Sequence, residues 1–136
     1  MARYDPEMVD RSRDWCRQAE RDLQHAEVAR AAEHHEWCCF TAQQAAEKAV
    51  KALHLSLGQE AWGHVVAKLI TELPDAVQIP ADLIDKARVL DAFYMAPRYP
   101  NGHPEGAPFE HYGKLQSDEA IRYAGEIIGL VRTQMA

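Results

Sequence analysis

The sequence predicts an all-α fold, an antiparallel up-and-down bundle of four to five helices, on three observations. Between its breakers the chain consists of strong helix formers, Ala, Glu, Gln, Leu, Lys and Arg. Apolar residues return at three- and four-residue steps in five separate stretches. No stretch alternates apolar and polar residues as a half-buried strand does, and Asn101-Gly102 lies in a proline-rich loop rather than between two such runs.

Asp5-Pro6 suits the N-cap and first turn of the first helix. Val9, Ser12, Cys16, Ala19, Leu23 and Ala26 then form a narrow seam of small residues, with arginine and acidic residues on the other faces. The second helix, about 34–57, carries two stripes: Cys38, Ala42, Ala45, Ala49, Ala52, and Cys39, Ala46, Val50, Leu53, Leu57. A helix apolar on two sides is central, its alanines admit close neighbours, and Gly58 ends it. A short helix over 64–73 stops at Pro74. A fourth starts near Pro80, puts Leu83, Ala87, Leu90 and Tyr94 on one face and stops before Pro97. The last starts at about Ser117, where Asp118 and Glu119 suit the positive end of a helix, and continues through Ala124 and Val131. Gly125 and Gly129, four apart, either admit a close neighbour or are merely tolerated. Residues 1–136 are expected to form one domain, without repeats or a linker.

Composition bounds the function without naming it. Apolar residues are 47% of the 136 and charged residues 26%, so one real core can be buried. The net charge of −6 argues against a generic nucleic-acid coat protein but leaves room for a local basic pocket. Three cysteines, without CxxC spacing or a secretory apolar segment, point to a reducing cytoplasm. No apolar run is long enough to span a membrane. Cys16, Cys38 and Cys39, with His34 and His35 near, could be soft metal ligands on paper. Neighbours on a helix diverge by about 100°, however, so Cys38 and Cys39 do not share a metal easily. All three read as core residues, and neither metal nor cofactor is expected.

Chemistry concentrates in the segment with four of the seven prolines, Pro97, Pro100, Pro104 and Pro108, and the turn before it. Asp91, Phe93, Tyr94, Arg98, Tyr99, Asn101, His103, Phe109, His111 and Tyr112 all fall there. Four residues, Pro100 and Gly102 among them, separate Arg98 from His103, so a turn can bring the two side chains together where a helix would not. The pair suits metal-free phosphodiester cleavage. Histidine moves the 2′-hydroxyl or leaving-group proton, and the arginine fork holds the phosphate and its developing charge. The tyrosines and Phe109 offer faces on which bases stack. The plainer alternative is that Arg98 caps helix carbonyls or pairs with Asp91 and His103 is a turn residue.

Several motifs together carry a resemblance. The run Cys39-Phe40-Thr41-Ala42-Gln43-Gln44-Ala45-Ala46-Glu47-Lys48-Ala49-Val50-Lys51-Ala52-Leu53 is followed by Gly58, by Trp62-Gly63-His64, by Leu90-Asp91-Ala92-Phe93-Tyr94 and by Pro97-Arg98-Tyr99-Pro100. In this it resembles the HEPN (higher eukaryotes and prokaryotes nucleotide-binding) domain family, from about Trp15 to the last helix. The resemblance implies a helical bundle, usually a homodimer, and often a partner nucleotidyltransferase in a toxin–antitoxin-like pair. Active members are metal-independent endoribonucleases with Arg, four to six residues, then His, which falls here on Arg98 and His103. The tyrosine that some members carry two residues after the histidine is Glu105 in this chain.

Two functions stay open. One is a ribonuclease toxin with His103 as acid or base and Arg98 as phosphate clamp, in a cleft between two subunits. The other is a non-catalytic nucleotide- or partner-binding module of a nucleotidyltransferase, with Gln43, Gln44, Arg98 and Tyr99 as recognition surface. Asp91, Tyr94, Tyr99 and Asn101 are expected to bind or support in either case. Gln43 and Gln44 interrupt an apolar run: either that face is solvated, or Gln43 or Glu47 fixes the 91–98 segment through a hydrogen bond. Three tryptophans and the doubly apolar second helix exceed what a small bundle usually buries, so a two-fold interface beside the 97–113 loop is expected.

Overall fold

The computed structural model describes Arg3–Tyr4 in their backbone and residues 10–136 with side chains. Five α-helices account for most of it: α1 (Ser12–Ala31), α2 (His35–Ser56), α3 (Val66–Thr71), α4 (Ala81–Asp91) and α5 (Lys114–Met135). A two-residue antiparallel pair, β1 (Arg3–Tyr4) with β2 (Gln59–Glu60), closes one end, with Arg3 opposite Glu60 and Tyr4 opposite Gln59. The fold is therefore all-α, as the helical periods require.

Helix α2 is the centre and touches all four other helices. Cys38, Cys39, Ala42, Ala45, Ala46, Ala49, Ala52 and Leu53 on it are fully buried, so its two stripes face different neighbours. Small side chains let the axes approach, and the larger groups come from outside: Leu69 and Ile70 on α3, Leu83 and Leu90 on α4, Ile127, Ile128 and Val131 on α5. Ala19 and Ala26 supply the α1 side of the seam. Past α2 the backbone turns at Gly58, whose φ of +76° lies in the left-handed region glycine tolerates best. The buried His54 ring then bridges, with Nε2 2.8 Å from the Leu69 carbonyl and Nδ1 3.1 Å from Gln59 Oε1, tying α2 to α3 and β2.

Four boundaries differ from the sequence expectation, and three have a visible cause. Helix α1 begins at Ser12, whose N–H donates to Asp10 Oδ1 at 2.8 Å; the Asp5-Pro6 cap and Val9 lie outside the described residues. Helix α4 ends at Asp91, because the N–H groups of Ala92, Phe93 and Tyr94 reach carbonyls only three residues back and tighten the chain into turns. Phe93, 8% exposed, takes the inward place that continued periodicity would have given Tyr94. Helix α5 starts at Lys114, where Gln116 Oε1 accepts the Gly113 N–H at 2.9 Å. Ser117 is not a cap but a buried residue, its hydroxyl 2.7 Å from His35 Nδ1. The third helix spans only Val66–Thr71 of the expected 64–73.

Candidate functional site

The 91–113 segment leaves α4 and returns to α5 through two 3₁₀ turns, Pro100–Gly102 and Pro108–Glu110. Its first part closes on itself. A Cβ on Gly102 would stand 2.9 Å from both Cα and Cβ of Ala96, so glycine alone permits this approach. The next residue, His103, sets its Nε2 2.8 Å from the Ala96 carbonyl. A carbonyl only accepts, so Nε2 carries the proton and Nδ1 holds the lone pair. The ring lies flat on His111, centroids 4.1 Å apart and planes at 2°, with the edge of Tyr112 at 5.7 Å. His111 is held in the same manner, Nε2 2.6 Å from the Glu105 carbonyl.

Arg98 lies on the same closed turn. Its Nε donates to the Tyr94 carbonyl at 2.7 Å and one terminal nitrogen contacts Met95 Sδ at 3.2 Å. The guanidinium stands 4.3 Å from the Phe40 ring, 4.8 Å from Tyr94 and 5.2 Å from Tyr99. Three aromatic rings hold the cation by cation–π attraction and limit its rotamers. Of the residues singled out in the sequence, Tyr94 and Tyr99 are thus gathered around Arg98, with Tyr99 48% exposed. Asn101 is exposed on the first 3₁₀ turn.

Asp91 does not pair with Arg98. Its carboxylate accepts the backbone N–H of Val66 at 2.6 Å and of Ala67 at 3.2 Å, capping the start of α3. Burial raises its pKa above the usual carboxylate value, against the lowering effect of those two N–H groups, and the charge of Glu47 adds to the rise.

Gln43 is fully buried and its amide nitrogen donates to the His64 carbonyl at 3.0 Å and to Glu47 Oε1 at 3.2 Å. Gln44, half-buried, donates to Gln43 Oε1 at 2.8 Å. Glu47, 5% exposed, meets Lys51 Nζ at 3.0 Å and His64 Nδ1 at 3.1 Å. The hydrogen bonds of Gln43 and Glu47 therefore run to His64, not directly to the 91–98 segment. The His64 ring completes the link by stacking on Tyr94 at 4.6 Å and 15°. This Glu47–His64 pair is the part of the site that the sequence left unassigned. Its signals in the sequence were two polar residues one turn apart, Gln43 and Glu47, in an otherwise apolar helix, and His64 in the Trp62-Gly63-His64 motif.

The profile of the HEPN domain family matches residues 12–134. The chain belongs to the HEPN domain family. Among solved structures that resemble it, TT1696 from Thermus thermophilus is 44% identical, superposes with a TM-score of 0.91, and the match covers 93% of this chain and 99% of that one. An archaeal HEPN homologue, ST0689, is 41% identical with a TM-score of 0.80, over 94% and 100% of the two chains. A protein of Methanocaldococcus jannaschii named "Putative toxin MJ1304" is 27% identical over 127 residues, 87% of this chain and 84% of the other.

Within this HEPN domain Cys38 and Cys39 are core residues, while Cys16, expected to join them, is only half-buried at the edge of the core. Cys38 and Cys39 are buried, and burial pushes the Cys39 thiol up to about 12. A groove of about 750 Å³ runs along α1 past Arg17, Glu20, Arg21 and Glu27 to Arg132, and neither Arg98 nor His103 lines it. No helix among the described residues is long and apolar enough to cross a membrane.

Proposed function

We propose that this HEPN domain is a metal-independent endoribonuclease with a toxin-like role, in which Arg98 clamps the scissile phosphate and His103 carries the proton. The observation that supports it most is the fastening of both side chains to one turn. Arg98 is held on the Tyr94 carbonyl and His103 on the Ala96 carbonyl, two residues apart, so both are preorganised and, among the described residues, each keeps a nitrogen without a hydrogen bond. His103 Nδ1 is the lone pair that would take the 2′-hydroxyl proton. Exposed Tyr99 and Phe109 are stacking faces for bases at its edges. The relative named as a toxin supports the biological role.

A homodimer belongs to the same reading. Trp37 and Met95 are exposed by 47% and 54% beside the aromatic cage of Arg98, a patch that a second copy would cover. Sedimentation at micromolar concentration should give a dimer, and a clean 15.4 kDa monomer overturns that part.

A second reading, an accessory module bound to a nucleotidyltransferase, is favoured by the net charge of −6 and by the aromatic cage that already engages Arg98. An RNA cleavage assay in EDTA separates the two. His103→Ala should lose about 10²–10⁴ in rate. Arg98→Lys keeps the charge, loses the fork, and should also fail. Unchanged cleavage by His103→Ala overturns the catalytic assignment. An inert wild type that binds a transferase establishes the accessory role.

A further inference from the structure

Cleavage of RNA through its 2′-hydroxyl needs two proton transfers, one from the attacking oxygen and one to the leaving oxygen. His103 Nδ1 supplies one carrier. His64 has the features of the other. Its Nδ1 faces the carboxylate of buried Glu47 at 3.1 and 3.2 Å, which fixes the proton on Nδ1 and aims Nε2 away. Among the described residues nothing bonds Nε2, and the side chain is 54% exposed. The backbone is fixed as well, since Gln43 holds the His64 carbonyl and Asp91 holds the N–H groups of Val66 and Ala67. An exposed histidine with a buried carboxylate behind it and both flanks fastened is costly to build for a surface turn alone. Its ring shares Tyr94 with the Arg98 guanidinium, at 4.6 and 4.8 Å from that ring. His103 is fastened two residues further along the same turn.

We propose that His64, oriented by Glu47, is the proton donor to the leaving group in the site that Arg98 and His103 form. This rests on the ribonuclease reading above and assigns the half of the reaction which that reading leaves open. The 2′-oxygen attacks phosphorus and its proton passes to His103 Nδ1. The bond from phosphorus to the 5′-oxygen breaks, and that oxygen takes the Nε2 proton of His64, which enters the step as the imidazolium and leaves it neutral with its Nδ1 proton still hydrogen-bonded to Glu47. The products are a 2′,3′-cyclic phosphate and a 5′-hydroxyl end, and exchange with water resets both imidazoles. Glu47 is a positioning residue, since it touches His64 and not the substrate.

The test uses the full chain and two substrates, an RNA oligonucleotide and the same oligonucleotide with sulfur in place of the 5′-bridging oxygen at one link. A thiolate leaves without a proton, so the sulfur substrate makes the donor dispensable. On ordinary RNA His64→Ala should lose about 10²–10⁴ in rate. On the sulfur substrate it should approach the wild type, whereas His103→Ala should remain slow on both. His64→Gln, which fills the same space, should behave like His64→Ala, and Glu47→Gln should show a smaller loss with the same rescue. Equal losses of His64→Ala and His64→Gln on both substrates would mean a structural role and overturn the proposal, as would no loss on either. Failure of the ribonuclease reading looks different: the wild type then cleaves neither substrate, and both proposals fall together.

Discussion

Removing the Asp91 carboxylate should loosen α3 without opening the core. Asp91→Ala deprives two backbone donors of their acceptor, Val66 N–H at 2.6 Å and Ala67 N–H at 3.2 Å. A hydrogen bond to a charged group contributes about 1.5–3 kcal/mol and a lost N-cap about 0.5–2 kcal/mol. Asp91 is only half-buried, so the sum falls near the lower bounds, about 2–3 kcal/mol. For a domain of this size that is a fall in Tm of about 6–12 °C. Asp91→Asn keeps one acceptor oxygen and turns its NH₂ toward the other donor, so it should lose about half as much. Acid gives an independent check. Burial raises the native pKa of Asp91 above 3.8, so the native state holds this proton more tightly than the unfolded chain. The stability contributed by that proton is full below the unfolded value and is lost as pH rises through the native one. Moving from pH 7 to pH 4 should therefore improve the wild type relative to Asp91→Asn. Thermal unfolding followed by circular dichroism at both pH values reads all of this. An Asp91→Ala protein melting within about 2 °C of the wild type at pH 7 refutes the cap, and a wild type that loses ground to Asp91→Asn in acid refutes the electrostatic account.

Other substitutions probe the same framework. Gly102→Val forces side-chain atoms onto Ala96, where even a Cβ would stand at 2.9 Å, and should cost about 1–3 kcal/mol in denaturant unfolding while displacing His103; on the proposed function it should also abolish cleavage. Gln43→Leu leaves the His64 carbonyl without its donor and should destabilise by about 1–3 kcal/mol in the same measurement. With burial holding the Cys38 and Cys39 thiols protonated, only half-buried Cys16 should react with a thiol-specific disulfide reagent at pH 8 in the native state, and rapid reaction of all three would contradict the core packing.

The helices were legible because their faces are decided locally, by apolar residues three and four apart. The two stripes of α2 could be read from Ala42, Ala45, Ala46 and Ala49 before any neighbour was known, and each of these is fully buried. Helix starts were less legible. Ser117 with Asp118 and Glu119 has the composition of a start, yet Gln116 provides the cap, and Ser117 faces His35 across the bundle. A capping serine and a buried one look alike when only one chain segment is considered. The site divides along the same line. Arg98 and His103 stand in one turn and could be paired by their spacing. His64 acquires its meaning from Glu47, 17 residues earlier, and from Tyr94, much later in the chain. No local pattern carries contacts of that kind.

The assembly of this site from separate segments also separates its durability from that of the bundle. Helix α3 is six residues long and docks through its buried side chains, the His54 bridge and the Asp91 cap, whereas α2 packs against all four other helices. A short element held at a few points opens with a smaller free energy than the whole molecule. When α3 swings out, His64 leaves Glu47 and Tyr94 together, while α1, α2 and α5 stay packed. On the proposed function, heating should silence the protein some degrees before it unfolds, and cooling should restore it as quickly as the hatch closes, with no need to fold the chain again.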